Sequence, residues 1–174
     1  MDRVEGPGGQ PARESRPEHP RPAEPNFIAF PLTREVEYNW EEFRPLINIV
    51  TDPGIIGVRA DDDRFPDLES LLAYAKDNPG IVTLGNSGIG GDDHIAAIFL
   101  EDESGATFNH IAFGGAGPNR TALLGGHIDA AAFNASEAVQ FVESDQVRVL
   151  AVMAEERYQD LPNVPTFQEL GYDV

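Results

Sequence analysis

Ile81 to Leu84 reads as a short buried strand, and Gly85-Asn86-Ser87-Gly88-Ile89-Gly90-Gly91 follows it directly. A helix then opens at Asp92 or Asp93. A strand, a glycine-rich loop and a helix start in that order can hold an anion. Glycines at 88, 90 and 91 allow positive φ and let a ligand approach the backbone. Asn86 and Ser87 add side-chain donors, and the helix dipole favours negative charge at its N-terminus. The same glycines equally suit a tight β–α turn that binds nothing.

Three kinds of reactive loop do not fit these residues. A nucleophile elbow needs Gly-x-Ser-x-Gly, and here isoleucine (Ile89) stands in the last position. A dinucleotide fingerprint needs Gly-x-Gly-x-x-Gly, and the run from Gly88 ends at Asp93. The Gly-Lys-Ser/Thr of a phosphate loop is absent, since Lys76 is the only lysine. His94 follows Asp92 and Asp93, but no ligand spacing links it to His110 or His127, so no metal site is expected. Asp62-Asp63 and Glu101-Asp102-Glu103 read as solvated faces. Without a nucleophile, a base or an acid pair in register, the chain is expected not to be an enzyme and to need no cofactor.

Composition narrows the partners. Thirty acidic residues against twelve basic ones give a net charge of −18, which argues against nucleic acid or an anionic membrane surface. Eleven of the twelve basic residues are arginine. An acidic, lysine-poor chain suggests adaptation to high salt, because at ~1 M the Debye length is about 3 Å and self-repulsion is screened. The alternative is an acidic surface with no special habitat. No apolar run is long enough to span a bilayer. Residues 1–25 are rich in proline and arginine, lack the apolar core of a signal peptide and read as a disordered lead.

Residues 26–174 form the folded part. Phe27 to Phe30 suits an edge strand or a packed connection, and Tyr38 to Pro45 is a turn-rich bridge into a strand at Leu46 to Val50. Another strand is expected at Ile55 to Val58. Leu68, Leu71, Leu72 and Ala75 mark one face of a helix that Asn78-Pro79-Gly80 stops. The helix after Asp92 is expected to bury Ile95, Ile98 and Phe99. A strand over Phe108 to Phe113, a helix from Pro118 to Leu124 and a strand over Ile128 to Phe133 come next. Ser136 is the expected cap of a helix through Val142, Val147 to Met153 is the last strand, and a helical turn covers Phe167 to Leu170. Alternating strands and helices with short connections imply an α/β fold, a mostly parallel sheet with helices on both faces.

Four segments carry a family resemblance in order. They are Asn78-Pro79-Gly80 with Gly85 to Gly90 and His94; His110 to Pro118 with Leu123 to Asp129; Val147 to Val152; and Arg157 with Leu161 to Thr166 and Glu169 to Tyr172. Together, over Tyr38 to Val174, they resemble the Bug-type receptors of tripartite tricarboxylate transporters. The resemblance implies a periplasmic-binding-protein-like (type II) domain, an extracytoplasmic location, a small carboxylate ligand and membrane transporter subunits as partners. It maps Ser87, Gly88, Gly90, Gly91 and His94 to a carboxylate loop, and Phe113, Gly114 and Gly115 to a loop lining the same cleft, with Asn134 near it. The family's first domain would precede Tyr38, so this chain is expected to carry half of a cleft and an exposed apolar face. The resemblance also puts small hydroxyl residues at 92 and 93, where this chain has two aspartates that would repel a carboxylate.

Overall fold

The computed structural model describes residues 29–32, 35–44 and 46–174, without the side chain of Trp40. The lead expected over 1–25 lies outside the described residues, as do 26–28. Residues 29–32 are helical, so the strand alternative for Phe30 is set aside. A 3-10 turn at Trp40–Glu42 follows.

Alternation of buried residues builds the core. Strand β1, Gly54–Arg59, has four buried residues in a row, as a strand covered on both faces should. Ile56 and Val58 face one apolar cluster with Leu71, Leu72, Leu84 and Leu100. Ile55 faces the other with Leu123, Phe133 and Ala138. The strands β2 (Thr83–Asn86), β3 (Asn109–Ala112), β4 (Ala130–Asn134) and β5 (Val147–Val152) complete the sheet. Helices α1 (Leu68–Asp77) and α2 (Asp92–Ser104) contribute to the first cluster. Helices α3 (Ala116–Leu124) and α4 (Ala135–Glu143) contribute to the second. Each fully buried Leu, Ile or Phe adds roughly 1.5–3 kcal/mol. Leu71→Ala would remove about 2–5 kcal/mol at the centre of α1.

Helix α1 begins at Leu68 because Asp67 accepts from the Ser70 N–H at 2.8 Å and the Ser70 hydroxyl accepts from the Asp67 N–H, a reciprocal cap. It ends where the Asn78 side chain and N–H both donate to the Tyr74 carbonyl.

The sheet runs β3-β2-β4-β1-β5. Pairs β2–β3 and β2–β4 are parallel, while β1 is antiparallel to both β4 and β5. Four strands therefore run one way and β1 alone runs against them, making the sheet mixed.

Other expectations are corrected. Leu46 to Val50 is not a strand: Leu46, Ile47, Ile49 and Val50 are exposed and no described strand pairs with them. β-propensity without a neighbour to accept the backbone hydrogen bonds makes no strand. Helix α2 buries Asp93, Ala97 and Leu100, while Ile98 and Phe99 face outward and Ile95 is half-buried. Ser136 is not the cap of α4. Asn134 occupies that position, and Asp52, 84 residues away, accepts from the Ser136 N–H at 2.9 Å and its hydroxyl at 2.6 Å. The strand expected at Ile81 to Leu84 lies at Thr83–Asn86, with Ile81 exposed. The turn expected over Phe167 to Leu170 is present, with Leu170 N–H donating to the Thr166 and Phe167 carbonyls at 3.3 and 3.1 Å.

Candidate functional site

Because β1 is reversed, its first residue lies at the sheet edge where β4 and β5 end. Gly54 pairs with Asn134, and Ile55 with Val152. Met153 N–H donates to the Gly54 carbonyl and Ala135 N–H to the Pro53 carbonyl, both at 2.8 Å. A cleft of about 1120 Å³ opens along this edge. Its walls are Val50 to Gly54, the first turn of α2, Asn134 and Met153 to Gln159.

Asp93 is 3% exposed, and its Oδ1 is buried without a hydrogen-bond partner. Burial, then the charge of Asp92, pushes its carboxyl up to about 6. Asp52 spends both oxygens on α4, and the Asn134 side-chain amide donates to the Asp52 carbonyl at 2.9 Å. Arg157 is the cationic residue of the lining, and both Glu169 carboxylate oxygens accept from its Nε, at 3.0 and 2.8 Å.

The glycine loop stands at the end of β2 on the same edge. Gly88 (φ 138°) and Gly90 (φ 72°) adopt backbone that favours glycine, as the sequence suggested, while Gly91 (φ −73°) does not. Their amides are already engaged: Gly88 N–H donates to Asn86 Oδ1, Gly90 N–H to His94 Nδ1 and Gly91 N–H to the Gly88 carbonyl, each at 3.2 Å. A buried donor left without a partner is the Asn86 side-chain Nδ2, on a residue that is 0% exposed. His94 packs edge-on to His110 at 5.0 Å, and burial followed by that neighbour lowers its pKa.

Of the residues expected at the site, Asn134 lines the cleft. Asn86, Ser87, Gly88, Gly90, Gly91 and His94 sit beside it at the end of β2 and the start of α2. Phe113, Gly114 and Gly115 follow β3, joined to that loop by Phe113 N–H donating to the Asn86 carbonyl at 2.9 Å. Neither group is part of the cleft wall. The wall residues Asp52, Gly54, Met153 and Tyr158 were missed, because they reach this edge through the reversal of β1 and the exit of β5. Among the described residues no group of three or more His, Cys, Asp or Glu side chains is placed to hold a metal ion. No described helix is long and apolar enough to cross a membrane.

Residues 23–174 match the family described as the tripartite tricarboxylate transporter family receptor. The chain is similar to a UPF0065 protein in the gbd 5′ region of Cupriavidus necator, at 32% identity over 153 residues. That match covers 84% of this chain and 46% of the relative. It is also similar to the crystal structure of a TctC solute binding protein from Polaromonas, at 41% identity and a TM-score of 0.67, covering 71% of this chain and 42% of that one. A Rhodopseudomonas palustris protein solved with adipate shares the fold, with a TM-score of 0.76 at 23% identity over 87% of this chain and 52% of that one. The chain thus spans about half the length of these proteins or less.

Proposed function

The chain belongs to the tripartite tricarboxylate transporter receptor family, a family of solute-binding proteins and not of enzymes, and from that premise we propose that it is one lobe of a receptor for small carboxylates. In this reading it works outside the cytoplasm and passes its ligand to membrane transporter subunits. The observation that carries the reading is the buried Asn86 Nδ2, without a partner at the root of the glycine loop and beside the N-terminus of the 13-residue helix α2. A carboxylate accepts from such donors, and the helix dipole favours it there. The adipate held by the R. palustris fold neighbour is a ligand of that size and kind. The single lysine and the charge of −18 support a high-salt setting.

Amide chemical shifts test this. Titration with adipate, succinate, citrate and glutamate in high salt should move Asn86 to Asp93 and Asn134, with weak affinity because one lobe presents half of a cleft. Shifts confined to other surfaces, or none with any of the four, would remove the receptor reading.

A second reading, a standalone interaction domain, is favoured by one observation. Leu46 is 93% exposed and Ile49 89%, an apolar run open to a covering partner. Under that reading the four acids bind nothing, and the 46–50 amides become protected from exchange only in a complex.

A further inference from the structure

A titratable ring holds the glycine loop. Gly90 is buried, and its N–H donates to His94 Nδ1 at 3.2 Å. A backbone amide donates and never accepts, so Nδ1 must carry a lone pair and the neutral ring keeps its proton on Nε2. A second proton on the ring goes to Nδ1 and removes the acceptor that Gly90 uses. The buried Gly90 N–H would then face another N–H. A buried donor without a partner is costly, so the loop would have to move until water reached it.

The surroundings of the ring hold that proton back at neutral pH without forbidding it. From β3, the His110 ring packs edge-on against His94 with centroids 5.0 Å apart. Glu101, further along α2, places one oxygen 3.1 Å from His110 Nε2, and its other oxygen accepts from the Phe108 N–H. Burial and then His110 lower the His94 pKa below the ordinary 6.5, while Glu101 works the other way. Asp92 and Asp93 precede His94 on the same turn, and Gly85 to Gly91 contain no titratable side chain. We propose that His94 is a proton-sensitive latch on the glycine loop: the neutral ring fixes Gly90, and the imidazolium releases it. The role is one of positioning, since His94 acts through the Gly90 amide. It goes beyond the carboxylate-receptor reading and does not depend on it, and its test needs no ligand.

The full chain is titrated by NMR from pH 7.5 to 4.5, following the His94 ring and the Gly90 amide. Both should move with one midpoint, below 6.5. The Gly90 protection factor, which already allows for the pH dependence of exchange, should fall about fivefold, as the loss of one hydrogen bond implies. Asp93 titrates nearby, at about 6, so a shared midpoint alone does not identify the group. His94→Asn separates the two, because the asparagine Oδ1 stands where Nδ1 does, accepts from Gly90 and does not titrate. In that variant the Gly90 amide should keep its neutral-pH signal throughout, whereas Asp93→Asn should leave the Gly90 response in place. A Gly90 amide that stays still while the His94 ring titrates overturns the latch. So does a response that survives in His94→Asn or vanishes in Asp93→Asn. The first of these outcomes is read from the unaltered chain, so the latch can be refuted even if a variant fails to fold.

Discussion

Asn119 fills the space that a side chain on Gly85 would need: a Cβ there would lie 2.1 Å from Asn119 Oδ1 and 2.5 Å from Ile128 Cδ1. The Asn119 side chain is fixed by its Nδ2, which donates to the Ala132 carbonyl of β4 at 2.8 Å. Helix α3 is thereby seated across β2 and β4, and Gly85 serves packing rather than a ligand. Gly85→Ala should cost about 2–3 kcal/mol by overpacking, read as a lower urea midpoint. Combining it with Asn119→Ala should cost less than the sum of the two single changes. Additive losses would show that the two residues are not coupled.

Asp93 should make the lobe less stable as pH rises. Its folded pKa, about 6, lies above the ordinary 3.8, so the folded state holds the proton more tightly than the unfolded chain. Stability is then fullest below pH ~4 and falls as pH rises to about 6. Asp93→Asn should remove that slope and stabilise the neutral protein by up to roughly 3 kcal/mol, at about 1.4 kcal/mol per pH unit. Thermal melts of the two proteins at pH 4.5 and 7.5 measure it, and a parallel pH response would contradict the burial of this carboxyl.

Arg64 governs the opposite limb. Its guanidinium donates to Asp62 at 3.0 and 2.7 Å and to Asp129 at 2.7 Å. Asp129 in turn accepts from the Thr83 N–H and hydroxyl at the start of β2. Hydrogen bonding to Arg64 outweighs burial and lowers the Asp62 pKa. At Asp129 burial pushes upward, yet the bonds from Thr83 and Arg64 leave the net shift downward. Both carboxylates therefore contribute stability above their unfolded pKa, and it is lost as pH falls through the folded values. Arg64→Ala should cost about 1–2 kcal/mol at pH 7, kept modest because Arg64 is half-exposed. The variant should also show a flatter acid limb in denaturation monitored by circular dichroism.

With a net charge of −18, the chain should gain stability between low and molar salt. The melting temperature should climb most steeply below ~0.1 M, where the Debye length exceeds about 10 Å. A melting temperature indifferent to salt would argue that the acidic surface carries no adaptation.

Much of the fold was legible because local signals and packing agree. Leu68, Leu71, Leu72 and Ala75 named the buried face of α1, which is the face the core uses. Helix α2 was misread for the reverse reason. Its apolar residues Ile98 and Phe99 point outward while an aspartate points in, so hydrophobicity and burial disagree along one helix. The glycine loop was found by composition, but its amides satisfy one another through Asn86 and His94, a pairing that no residue spacing specifies. Asp52 capping Ser136 across 84 residues was invisible for the same reason, since that partnership exists only after the sheet has formed.

The reversed direction of β1 has a mechanical outcome. Residues ahead of Gly54 leave the lobe at the rim of the cleft, not on its far side, and the last residue pair before that exit contains Asp52, whose carboxylate holds the first turn of α4. The entry to β1 is thereby tied to the mouth of the cavity and to the first turn of α4 at one point of the chain.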